Sequence, residues 1–406
     1  MHVRWRAGYP SPMSHDYDYL IIGGGMTADT AAKGIRERDR DGTIGILCEE
    51  STAPFPRPAL SKKLWTDDEF SEDDAALHTV EETGAELHLG ARADTIDRDA
   101  KIVTTSTGDS YGYGKLLLAT GGHPRQIPTL PPSDRVIYYR TLDHYHRLRA
   151  AVAGSPHVAV VGGGYIGTEI AAALVQNGAT VTLVHPDDVL GSPTFPKVIA
   201  TEIDTMFADA GVTVHGGAKV EGGTSSPQGV TLDLSDGTRV TADHVVVGLG
   251  IEPAGVLARR SGLQTSDDGG IIVDERLTTA DPSVLAAGDV AQYPDRILGR
   301  RRVEHVDNAN EMGAAAGRIL AGSDETYDHT PYFYSDLFDA WYEAVGTLDA
   351  SLETVVVEKT DGGKVVYYLD DAEVVGVLLW KVADGLDAAR EVLAAHTVPE
   401  SFDDLV

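Results

Sequence analysis

Cysteine, basic residues and long apolar runs are all scarce in this chain of 406 residues, and each shortage excludes something. Cys48 is the single cysteine, so neither an intramolecular disulfide nor a paired-thiol redox motif can form. A reducing cytoplasm is the expected setting. Lys and Arg total 33 against 63 Asp and Glu, a formal charge of -30. Nucleic-acid binding needs clustered cations on phosphates, so the charge argues against a nucleic-acid role. No apolar stretch approaches the ~18 residues of a membrane span. The basic start, Met1 to Pro12, lacks the apolar core of a signal peptide. Met13 stands just ahead of the first strand, so residues 1–15 are read as an N-terminal extension, with Met1 and Met13 both open as the start.

What is present is a globular composition, 42% hydrophobic, long enough for two or three domains. Asp outnumbers Glu by 41 to 22 and Arg outnumbers Lys by 23 to 10. Such a surface resembles those of halophile proteins, which work where molar salt screens self-repulsion.

Asp18 to Ile22 reads as a strand, Gly23-Gly24-Gly25-Met26-Thr27-Ala28 as a glycine turn opening a helix through Arg38, and Thr43 to Cys48 as a second strand running into Glu49. Close approach to a pyrophosphate needs glycine, the helix start offers amide donors, and an acid about 20 residues on accepts from a ribose. Glu49 lies 21 residues beyond Ala28. The same order recurs: strand His157 to Val161, the complete motif Gly162-Gly163-Gly164-Tyr165-Ile166-Gly167, a helix over Thr168 to Asn177, and strand Ala179 to Val184. Two fingerprints in the required context imply two dinucleotide sites. Strands follow at Gly229 to Leu234 and His244 to Gly248, then a return segment from Ile271 to Asp289. The last part predicts strands at Leu352 to Lys359, Lys364 to Leu369 and Val374 to Leu379 and a helix from Leu386 to Ala395. The fold class is α/β, two Rossmann-like domains plus an α+β C-terminal domain. No metal site is expected.

Four further stretches carry a resemblance: Pro54 to Trp65 (PFPRPALSKKLW), Leu117 to Arg125 (LLATGGHPR), Leu285 to Val290 (LAAGDV) and Arg300 to Ala309 (RRRVEHVDNA). With the two fingerprints they are similar to the FAD-dependent pyridine-nucleotide reductases, most of all to apoptosis-inducing factor and the ferredoxin and rubredoxin reductases. The likeness spans Asp18 to His396. It implies an FAD-binding domain over 16–126 and 249–322, an NAD-binding domain over 127–248 and a C-terminal domain over 323–406. NADH would reduce FAD, and NADPH would be the poorer donor, because the likeness places Asp187 at the adenosine ribose. Electrons would pass to a ferredoxin or rubredoxin, or to a quinone or oxygen.

The resemblance also implies roles for single residues. Asp289 would bond the ribityl chain, Arg57 and Arg140 would orient parts of FAD, and Ala93 would lie by the adenine. Lys62 and Glu169 would meet beside the flavin N5 as the catalytic pair. Tyr165 would gate the flavin face; a core-facing ring is the alternative. Glu304 and His305 would cover the flavin, Tyr334 and Glu343 would face it from the C-terminal domain, and Gly250 would line the cofactor. Arg300, Arg301 and Arg302 are a candidate docking patch for an acidic carrier. Members that reduce disulfides carry a cysteine pair in the first unit, and NADH peroxidases a cysteine near the position of Ser61. Neither is here, so electrons cannot leave through a thiol. The targeting segment of the mitochondrial apoptosis-inducing factor is also not seen, and no death-signalling role is expected. The rival reading is a redox-gated NADH sensor whose reduced state controls oligomerisation or partner binding, and a homodimer is compatible with both.

Overall fold

A computed structural model describes residues 15–402 and 405–406. The expected N-terminal extension lies outside these residues except for His15, which begins the first strand.

The first unit is built on four parallel strands in the order Glu86–Leu89, Ile44–Cys48, His15–Ile22 and Ser110–Leu118. Ile44 to Cys48 is buried throughout, and so are Leu20 to Ile22 and Leu116 to Leu118. Such apolar runs suit a sheet covered on both faces. The long strand Ser110–Leu118 has two neighbours on its far side. Its start pairs antiparallel with Ile102–Thr105, which continues to Ala93–Asp97; its end pairs in parallel with Val284–Ala286, so the chain returns here after the second unit.

Helices Met26–Arg38 and Val306–Leu320 pack backbone against backbone on this sheet. A Cβ at Gly317 would lie 2.1 Å from the Ala31 carbonyl oxygen, and one at Gly34 would lie 2.3 Å from that of Ala314. Any side chain at these contacts would force the helices apart.

The second unit is a five-stranded parallel sheet in the order Thr213–His215, Thr180–Val184, His157–Val161, His244–Val247 and Val136–Tyr138. The chain enters and leaves it along an antiparallel ribbon, Gly122–Pro124 against Ile251–Pro253. Its glycine-turn helix is Tyr165–Gln176, starting three residues before the expected Thr168. The turn closes at the N-cap Gly164, so Tyr165, Ile166 and Gly167 are already helical.

The third unit is a five-stranded antiparallel sheet in the order Tyr332–Leu337, Ala340–Gly346, Glu373–Trp380, Lys364–Asp370 and Glu353–Glu358, with helix Leu386–Ala394 packed on it. The last three strands are those expected from the sequence; the first two are not expected from it. Their hairpin turns through Phe338-Asp339 with Phe338 at φ +57°, a left-handed position where no glycine or asparagine marks the turn.

One core joins the units. Leu60, Leu64 and Trp65, first-unit residues in sequence, pack with Ile170 and Leu174 of the second unit and with Phe333, Tyr342 and Trp380 of the third. Tyr139 and Trp65 both donate to the Leu60 carbonyl, and Asn177 donates to that of Trp65. The segment that carries Lys62 is thus fixed against the second and third units.

Candidate active site

Backbone hydrogen bonds bring the two glycine turns into correspondence. Gly23 N donates to Leu47 O and Gly162 N to Val184 O, both at 2.9 Å; Ala119 N donates to Ile22 O and Gly248 N to Val161 O, both at 2.8 Å. Further out, Gly90 N bonds Glu50 O and Gly217 N bonds Asp187 O. Asp187 therefore corresponds to Glu50, and Glu49 to Pro186, so the second unit has its acid one position later than the first.

Gly23 sits at φ +129° with its missing Cβ direction 2.0 Å from the Ala119 carbonyl; Gly162 sits at φ +113°, 2.4 Å from that of Gly248. These glycines are required by the fold itself. Gly25 and Gly164 differ, because a Cβ on either would meet nothing within 4 Å. Each caps its helix without a side-chain acceptor, so the leading amides of Met26 and Tyr165 onward are free to bind an anion. The third glycine position also differs between the units. A Cβ at Gly167 would lie 1.9 Å from Gly162 O, whereas the first unit takes the buried Ala28 there.

A cavity of about 580 Å³ opens at the first turn, lined by Gly23, Gly24, Gly25, Met26, Thr27, Glu49, Arg57, Ala93, Arg140 and Asp289 among others. Its polar walls are paired. Arg140 holds Asp289 at 3.1 Å, and Arg57 makes a bidentate pair with Glu50 while donating to the Arg140 carbonyl at 3.0 Å. Glu49 stays half in solvent near Arg92.

Lys62 and Glu169 meet in a largely buried ion pair. The Glu169 carboxylate, 5% exposed, also accepts from Ser61 Oγ at 2.5 Å and Ser335 Oγ at 2.6 Å. The Tyr334 ring lies 5.3 Å from the Lys62 ammonium. Beside them, His305 stacks on Phe333 at 4.2 Å, and Tyr165 meets the same ring edge-on at 5.6 Å. Burial pushes the His305 imidazole down to about 4, leaving it neutral at pH 7. Tyr165 and Ile166 are 41% and 40% exposed as residues, but burial raises the Tyr165 hydroxyl, whose charge would act on the buried Tyr342 and Tyr368.

Other expected residues lie at the edge of this site or away from it. Tyr334 and Glu343 are cross-strand partners lining a separate recess of about 290 Å³, where burial raises the Glu343 carboxyl. Glu304 is tied to Arg302, which also pairs with Asp268 and donates to the Asp289 carbonyl. Arg300, though exposed, donates to two backbone carbonyls, so Arg300 and Arg302 are tied into the fold by their bonds. Gly250, at φ +77°, accepts from Arg125 N just before the inter-unit ribbon and is not among the residues lining the larger cavity. Asp187 is partly exposed, 3.9 Å from Nδ1 of the buried His185, whose imidazole desolvation holds below its ordinary range.

Ser61, Ser335, Phe333 and Glu50 are site residues that sequence reasoning missed. Only Ser61, next to Lys62, carried a signal.

The profile of the pyridine nucleotide-disulphide oxidoreductase family matches residues 17–313. The chain belongs to this family. It is 33% identical to the ferredoxin–NAD(+) reductase component of the anthranilate 1,2-dioxygenase system of Burkholderia cepacia, over 94% of this chain and 95% of that protein. It is 31% identical to the mitochondrial apoptosis-inducing factor 1 of Dictyostelium discoideum, over 98% and 83% of the two chains. A solved structure of the covalent putidaredoxin reductase–putidaredoxin complex matches with a TM-score of 0.85 at 26% identity, covering 95% of this chain and 94% of that one.

As a member of the family the protein is a flavin-dependent oxidoreductase that uses FAD and NAD(P)H. The residues present fit both groups. The first turn combines a roomy cavity, an uncapped helix start and an open glycine direction at Gly25, and the second repeats the uncapped start and the open direction at Gly164. Cys48 does not supply the disulfide chemistry of the family name. It is fully buried, its sulfur lies 2.7 Å from where a Cβ on Gly24 would stand, and burial pushes its thiol up to about 12.

Proposed function

We propose that this oxidoreductase takes electrons from NADH, passes them through FAD held by the first unit, and delivers them to a small carrier protein such as a ferredoxin or rubredoxin. The assignment divides the chain as 16–126 with 249–322 for FAD, 127–248 for NAD and 323–406 for the C-terminal domain. The observation that carries the reading is the buried Lys62–Glu169 pair, which joins the first unit to the second where the two dinucleotides would meet.

The chain's own groups have separable tasks. The amides following Gly25 and Gly164 bind the two pyrophosphates. Arg140 fixes Asp289 for a ribityl hydroxyl, and Arg57 holds Glu50 in the wall. Lys62, oriented by Glu169, presents a positive charge to the flavin edge. Phe333 holds His305 and Tyr165 in place, and the neutral His305 adds no charge there. Bound FAD supplies a ring that accepts an electron pair from nicotinamide and gives electrons up singly. The inert thiol and the ferredoxin-reductase likeness both support delivery to a separate carrier, with a quinone as the alternative acceptor.

NADH is the proposed donor because Asp187 can accept from free ribose hydroxyls and repels a 2′-phosphate. Among the described residues its only ion-pair neighbour within 4 Å is His185. A cytoplasmic setting agrees with the single reduced cysteine and with the finding that no described helix is long and apolar enough to cross a membrane. The acidic surface supports work at high salt.

Anaerobic reduction of the FAD-loaded protein by each nucleotide tests the donor. NADH is expected to be more efficient by at least ~10-fold in kcat/KM, and Asp187→Ala to narrow that gap through loss of repulsion. High salt should narrow it as well. Equal efficiency with NADPH in the unmodified protein would overturn the assignment of Asp187.

A further inference from the structure

Glu169 gathers donors from three parts of the chain. Lys62 and Ser335 Oγ both reach Oε1, and Ser61 Oγ reaches Oε2. Ser61 and Lys62 come from the first unit, Glu169 from the glycine-turn helix of the second, and Ser335 from the first strand of the C-terminal sheet. On that strand Phe333, Ser335 and Leu337 alternate into the core, and Ser335 is 1% exposed. A hydroxyl in an apolar row is unfavourable unless it is hydrogen-bonded. An alanine would fill the row as well, so the hydroxyl is explained by its partners, Glu169 and the cross-strand Tyr342. Its neighbour Tyr334 sets its ring over the Lys62 ammonium. Two consecutive residues of the C-terminal strand thus hold the two members of the pair.

We infer that Ser335 is a positioning residue: it fixes the rotamer of Glu169, and through Glu169 it fixes where the Lys62 ammonium stands. The C-terminal domain thereby sets the electrostatics of flavin reduction. This rests on the reading of Lys62 and Glu169 as the pair beside the flavin. A carboxylate held by Lys62 and Ser61 alone can turn about its terminal torsion, which is broad and roughly two-fold. Ser335 closes that freedom by claiming the same oxygen as Lys62.

The test compares Ser335→Ala, Ser335→Thr and Lys62→Met, each loaded with FAD, by three readouts: the flavin midpoint potential, the limiting rate of reduction by NADH, and KM for NADH. Ser335→Ala is expected to make the potential more negative and slow reduction by about tenfold, the value of one hydrogen bond to a charged group, with KM unchanged. Ser335→Thr, which keeps the hydroxyl, should restore both. Changes in Lys62→Met without changes in Ser335→Ala would overturn the inference and leave the pair standing. No change in either would overturn the reading of the pair as well. If Ser335→Ala releases FAD or unfolds, the hydroxyl is structural support and the inference fails.

Discussion

Lys62→Met is expected to slow reduction of the bound flavin by NADH at least ~10-fold, a loss of about 1.4 kcal/mol in transition-state stabilisation, while FAD stays bound. The ammonium lies outside the cavity that would take the FAD pyrophosphate and ribityl chain, so losing it should spare cofactor affinity. It should not spare the partner. Glu169 would keep Ser61 and Ser335 as donors but lose its counter-charge in a buried place. Removing one member of a buried pair typically costs about 3–5 kcal/mol, and the two serine hydroxyls should hold the loss at the lower end. Glu169→Gln should slow reduction by a similar factor, because the amide no longer neutralises or orients the ammonium. The double variant should be little worse than either single one, as expected for partners in one network. Stopped-flow traces at saturating NADH measure all three. Purely additive effects would mean that the two residues act separately.

The second large effect comes from the open glycine positions. Gly25→Val should leave the fold intact and yield protein without FAD, since the added side chain meets nothing in the protein and enters the space before the Met26–Arg38 helix. Gly164→Val should do the complementary thing: FAD retained, reduction by NADH abolished. Gly23→Ala, by contrast, should fail to fold, with its Cβ 2.0 Å from the Ala119 carbonyl oxygen and φ at +129°. Flavin absorbance after purification, together with circular dichroism, separates these outcomes. A Gly164→Val protein that NADH still reduces at the normal rate would contradict the assignment of the second turn.

The contrast between these glycines also shows what sequence can and cannot report. Both turns were legible because strand, glycine turn, helix and acid follow one another within a short span. Only the three-dimensional structure distinguishes glycines that the fold needs from those whose Cβ direction is open, because the distinction depends on Ala119 and Gly248, which are remote in sequence. The helix Met26–Arg38 and the last three strands were readable from local periodicity. The hairpin of Tyr332–Leu337 and Ala340–Gly346 was not, since its turn carries a left-handed Phe338 without a turn signal. That omission hid Ser335 and Phe333, which lie on the hairpin and complete the site. Lys62 and Glu169 were named through resemblance alone; 107 residues separate them, and no spacing rule joins such a pair.

On the proposed route, electrons enter from NADH at the Lys62–Glu169 pair and leave singly to a carrier protein. Stopped-flow reoxidation of the anaerobically NADH-reduced protein by a panel of ferredoxins and rubredoxins tests it most directly, with a quinone and oxygen as comparisons. One of the carrier proteins should reoxidise the flavin fastest, at a rate that grows with carrier concentration and depends on salt. A reduced protein that persists in the presence of every acceptor, with a changed oligomeric state, would contradict it and favour a redox-gated sensor.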